Sequence, residues 1–218
     1  MMDEMDDKER RSAFVSAITT EHFVLQTAIG TTINEGASRA SIYVFSLSSS
    51  LVAMGFAAQS PTAFMPFVGT VLPALFLLGV FTVLRLVDIA AENMQAHIGI
   101  ARIRGYYRTL TSDAKVHFAA DRGRWPEGNT EPALRIGPSI GYLTSGASMI
   151  ACINAIVAGA GVTLLVRQLL GRDVAVALLI GTTCAAIFLT LFFIYQRYRI
   201  TDLVDASEKA TASGDDAD

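Results

Sequence analysis

The sequence predicts an all-α, polytopic membrane protein. Four transmembrane helices carry a cytoplasmic helical hairpin or stalk, and both termini are cytoplasmic. Three observations lead there. Of 218 residues, 52% are hydrophobic and 17% charged, against roughly 25% charged in ordinary soluble domains. Three stretches without Asp, Glu, Lys or Arg are long enough to cross a bilayer, which takes about 20 apolar residues. Finally, 15 of the 17 Lys and Arg lie on one side of the implied spans, and basic residues are retained in the cytoplasm. Buried helices of a soluble protein would show a polar stripe, and FLLGVFTVL or ALLIGTTCAAIFLTLFFIY shows none.

The chain divides accordingly. Residues 1–39 are expected to form a cytoplasmic amphipathic helix. MMDEMDDKERRSAF has no apolar core of the kind a cleavable signal needs, so the first span is expected to remain as an anchor. Residues 40–85 form the first transmembrane hairpin, since the charge-free run from Ala40 to Leu84 is 45 residues, too long for one span and enough for two. Gln59, Ser60, Pro61 and Thr62 write the turn between spans at about 41–59 and 64–85. Pro73 predicts a kink in the second. Residues 86–144 are a cytoplasmic helix and loop. Residues 145–196 are the second hairpin, with spans near 145–167 and 174–195, and residues 197–218 are a cytoplasmic tail, disordered from about Ala206.

Outside the spans the pattern changes to that of a coiled coil. Leu86, Ile89, Asn93, Ala96, Ile100, Ile103, Tyr107 and Leu110 alternate by three and four, as do Val15, Ile18, His22, Leu25, Ile29 and Thr32. The second span is therefore expected to continue as one helix for about six turns. Packed antiparallel, the two seams would bring Arg39 near Asp88 and Glu21 near Arg102 or Arg104. Gly30 and Gly36 count against a regular helix, at about 1 kcal/mol each, and the seam could equally face a second subunit. A cap at Ser112 predicts a short helix to about Ala120. A loop should follow, with Trp125 before Pro126, then Pro132 and Pro138.

No span carries an ionisable residue at its middle, which speaks against proton-coupled transport. The candidate pore or interface residues are Ser46, Ser50 and Asn154. Ser46 and Ser50 share a helical face with Ala53 and Ala57, and Asn154 lies in a series with Ala155, Gly159 and Thr163 that Gly181 and Ala185 repeat in the fourth span. Such series serve close helix packing, with interhelical Asn bonds worth about 0.6–2 kcal/mol; pore lining is the functional alternative. Arg39, Arg85, Asp88 and Glu92 are the candidate charge cluster at the cytoplasmic boundary, either a salt-bridge set or an ion vestibule.

No catalytic residue, cofactor site or metal site is expected. His22, His97 and His117 lack metal spacing, there is no phosphate loop or nucleophile elbow, and Cys152 and Cys184 lie among apolar neighbours. A net charge of −3 speaks against nucleic acid as a partner.

The stretches EHFVLQTA, ASRASIYVFSLSSSLVAMGF, VLPALFLLGVFTVLRLVD and RIRGYYRTL resemble a group of actinobacterial integral membrane proteins without assigned activity, over about the first half of the chain. The resemblance implies a plasma-membrane protein and gives no catalytic residues. In layout alone, a cytoplasmic helix, two tight spans and a long exit helix look like small membrane effectors of bacterial nucleotide-signalling defence systems. The expectation is a non-enzymatic homo-oligomer in the lipid bilayer that forms or regulates a permeability path under control of its cytoplasmic helices. The alternative is an anchor or scaffold that binds a cytoplasmic protein through residues 86–144.

Overall fold

The computed structural model describes residues 2–118 and 145–215, and all regular structure among them is helical. Helix α1 covers Met2–Ala57, α2 Pro61–Thr109, α3 Ala114–His117, α4 Gly146–Leu170 and α5 Val174–Asp215. Four of these, all but α3, are long and apolar enough to cross a membrane, so the chain is a multi-pass membrane protein. The loop with Trp125, Pro132 and Pro138 lies outside the described residues, as does the end of the helix expected to reach Ala120.

The turns fall where backbone chemistry places them. After α1, the Gln59 and Ser60 amides return to the Phe56 and Ala57 carbonyls, and the Ser60 carbonyl accepts from Phe64 at 3.0 Å to start α2. Ser145 caps α4, its hydroxyl accepting from the Ser148 amide at 3.2 Å. Gly171 ends α4 at φ 57°, a left-handed conformation that glycine adopts without strain. α3 departs from expectation. Asp113, not Ser112, occupies its N-cap position, and the Ser112 hydroxyl turns to the Asp113 carboxylate at 3.4 Å.

The amphipathic segment and the first span, read separately from the sequence, are one helix through Gly30 and Gly36. α2 likewise runs unbroken through Pro66 and Pro73 and past Arg85 to Thr109. α5 continues beyond Ala206, where the sequence places the start of a disordered tail.

The chain forms two compact units. The first contains Met1–Asn34, Ala90–Pro138 and Leu203–Asp218. In it the two seams meet antiparallel. The Thr32 hydroxyl donates to Asn93 Oδ1, a Cβ on Gly99 would come within 2.9 Å of Leu25, and Phe14 meets Tyr106 edge-on with ring centroids 5.3 Å apart. That register sets Glu21 level with the turn holding Arg102 and Arg104. Tyr107 packs on Phe118 at 5.3 Å.

The second unit contains Glu35–Ile89 and Ser139–Asp202 and holds the hydrophobic core. Tyr43, Val83, Leu86, Val87, Ile150 and Phe192 bring all four long helices together there. In a bilayer such side chains hold the helices together by van der Waals packing and not by escape from water. Gly36 is buried where α1 meets α2, and a Cβ there would make ordinary contact with Leu86 at 3.4 Å and Ile89 at 3.7 Å.

Candidate functional site

Hydrocarbon dominates the four-helix unit, so its polar groups define the candidate site. They form three sets.

Asn154 is at the centre of the first, fully buried. Its Oδ1 accepts from the Tyr43 hydroxyl at 3.2 Å, and its Nδ2 donates to the Phe76 carbonyl at 3.2 Å. α1, α2 and α4 are thus joined through one amide. The space is made by Gly79, where a Cβ would overlap the Asn154 side chain, its Nδ2 only 2.8 Å away. In an apolar interior an amide without partners is expensive, and two partners on two helices fix its orientation. The neighbouring crossing of α4 and α5 relies on small residues. A Cβ on Gly159 would sit 2.9 Å from the Gly181 carbonyl and 3.1 Å from Ala185, and one on Gly181 would overlap the Thr163 hydroxyl.

The second set joins α4 to α5. Buried Ser148 donates to Gln196 Oε1 at 3.3 Å, and Gln196 Nε2 donates to the Ser145 hydroxyl at 3.2 Å. The cap of α4 is thereby tied to a buried amide on α5.

The third set is ionic. Arg85 grips Glu35 with two bonds, Nε to Oε1 at 2.9 Å and Nη2 to Oε2 at 2.9 Å. Arg39, one helical turn after Glu35, donates Nε to the same Oε1 at 2.8 Å. The Arg85 guanidinium first, then Arg39, holds the Glu35 carboxyl well below its usual 4.5, at about 2. Asp88 takes Arg199 of α5, with Nε at 3.4 Å and Nη2 at 3.3 Å.

The sequence-predicted residues are thus distributed as follows. Asn154 is an interhelical tie. Ser46 and Ser50 are half-buried on α1 with Ala53 and Ala57, the small-residue face expected of them. The expected Arg39–Asp88 pair does not form. Glu35 is only one turn from Arg39 on the same helix and captures it, while Arg199 takes Asp88. Arg85 therefore pairs with Glu35 and Asp88 with Arg199, and Glu92 is an exposed residue of the other unit. Sequence reading missed Glu35, Tyr43, Ser148, Gln196 and Arg199. Only Glu35 carried a local signal, its four-residue spacing to Arg39.

Comparison with protein families, with characterised proteins and with solved structures finds no match for this chain.

Proposed function

We propose that the protein is a non-enzymatic, oligomeric plasma-membrane protein with both termini in the cytoplasm. Its cytoplasmic helices control a permeability path that the spans form or regulate. One observation carries the reading: Ser48 and Ser49 are exposed on the span portion of α1. Only 6% of the most apolar stretch of that helix is buried, against 11% for α5, 28% for α2 and 33% for α4. Hydroxyls on an otherwise hydrocarbon span are better placed against another helix or water than against lipid tails. A second α1 in an oligomer, or an aqueous path between copies, supplies that environment. The seam helices are continuous with the first two spans, so a signal that changes their pairing acts on the same helices that form those spans.

The test uses the whole chain in vesicles loaded with a self-quenching dye, and cysteine crosslinking at position 48 with Cys152 and Cys184 replaced by Ala. Dye release together with a Ser48→Cys crosslinked dimer supports the proposal. A strictly monomeric chain in vesicles that stay tight overturns it.

The scaffold reading, with a partner bound through residues 86–144, has its own support in Val116, a large apolar side chain of that segment that is exposed. Deleting residues 112–135 separates the two. A scaffold loses its partner, whereas a self-contained pore still releases dye.

A further inference from the structure

We propose that the cleft between α2 and α4 in the four-helix unit is a binding site for one acyl chain of an anionic membrane phospholipid. The cleft holds about 440 Å³. Its walls run from Met65 to Phe76 on α2 and from Val157 to Leu169 on α4, about 16–18 Å at 1.5 Å per residue. Volume over length gives a mean section of about 25 Å². An α-helix with side chains is about 10–12 Å across, far wider than a slot of this section. A single extended alkyl chain fits. At about 30 Å³ for a water-sized group, the cleft takes roughly 15 such groups, the length of an ordinary acyl chain.

The chemistry of the walls selects the same occupant. Apart from Gln168 and Cys184, every lining residue is hydrocarbon, glycine, proline or the thioether of Met65. A polar ligand would leave its groups unpaired there, at a cost of a few kcal/mol per group. Glycines create the slot. A Cβ on Gly69 would meet nothing within 4 Å, and one on Gly161 would only touch Leu72 at 3.6 Å. Both helices have the composition of membrane spans, so the occupant is drawn from lipid. At the Gln168 end of the cleft, Arg167 adjoins Gln168 in the chain and Arg172 follows the last residue of α4 by two, both exposed. Two cations near that end of the cleft complement a lipid phosphate, whereas the Phe76 end lies beside the Asn154 tie.

The inference requires only the membrane class and is independent of whether the protein conducts. Its test places the full chain in phosphatidylglycerol and phosphatidylcholine vesicles containing a trace of phosphatidylglycerol with a diazirine on its acyl chain, and maps crosslinked peptides. Labelling of residues 65–76 and 157–169 should exceed that around exposed Phe45 and Leu191 by about tenfold, and Gly69→Leu, which fills the slot, should remove the excess. Gly161→Phe, filling it from the opposite wall, gives the same result if Gly69→Leu does not fold. Arg167→Gln with Arg172→Gln should lower the labelling about fivefold per charge removed. Even labelling over the spans, or an excess that survives both slot-filling variants, overturns the site. Labelling indifferent to the two arginines overturns the headgroup placement.

Discussion

Two asparagines, one in each unit, do different work with the same side chain. Asn93 lies half-buried in a seam of two helices and has Thr32 as its partner across the seam. Asn154 is fully enclosed, with partners on two further helices and a glycine cut away to admit it. A polar residue in a two-helix seam specifies register at a modest loss of stability, because solvent is close by. Surrounded by apolar helices, the same amide has no alternative partner, and the structure around it must be made to fit. The difference is one of how many helices converge, not of residue type.

The largest effects should come from the glycines that the four-helix unit depends on. Gly181→Ala is expected to destabilise by about 3 kcal/mol, because its Cβ meets the Gly159 backbone as well as the Thr163 hydroxyl. Gly79→Ala should lose about 2 kcal/mol by expelling Asn154 and breaking both of its bonds. Thermal unfolding in detergent measures both. Combining Gly79→Ala with Asn154→Ala should lose less than the two separate changes sum to, since the smaller side chain removes the collision.

The asparagines themselves sharpen the contrast. Asn154→Leu should destabilise by about 1–2 kcal/mol, as the leucine cannot fit against Gly79 and Tyr43 loses its acceptor. Asn93→Leu should be neutral or mildly stabilising while loosening the pairing register. Double electron–electron resonance between labels on α1 and α2 would show that loosening as a broader distance distribution. Equal destabilisation by both changes would break the comparison.

A pH effect of smaller size follows from Glu35. Its folded pKa of about 2 lies below the ordinary 4.5. The stabilisation is therefore complete above about pH 4.5 and is lost as pH falls from there through about 2. Glu35→Gln should flatten that part of the melting-temperature profile and leave the neutral-to-basic part unchanged in slope. The smallest effect expected is a gain. Gly30 is an exposed helix-interior glycine whose Cβ would meet nothing within 4 Å, so Gly30→Ala should stabilise the two-helix unit by about 0.5–1 kcal/mol. Amide exchange over residues 25–35 reads it locally.

Much of the architecture is legible in the sequence alone. Val15, Ile18, His22, Leu25, Ile29 and Thr32, chosen only for their spacing, are all half-buried in the structure. Gln59 to Thr62 turn the chain as their composition predicts. The candidate site was legible only in part. Asn154 stands out as an amide in a hydrocarbon run, and Gly159 and Gly181 as small residues at helical spacing. Glu35 is marked locally only by its spacing to Arg39; nothing local marks Arg85, fifty positions later, as its second partner, and Gln196 looks like the end of a span when it is buried against Ser148.

What the sequence determined by itself was class, span number and the face each seam turns inward. These follow from runs of about 20 residues and from spacings of three and four, which act within one helix. Only the tertiary structure decided which carboxylate each arginine takes, that Asn154 is held by Tyr43 and the Phe76 carbonyl, and that Gly79 yields the space. Those contacts join residues 50 to 111 positions apart, and they depend on the rotation and crossing of helices about one another, which side-chain packing fixes after every helix has formed.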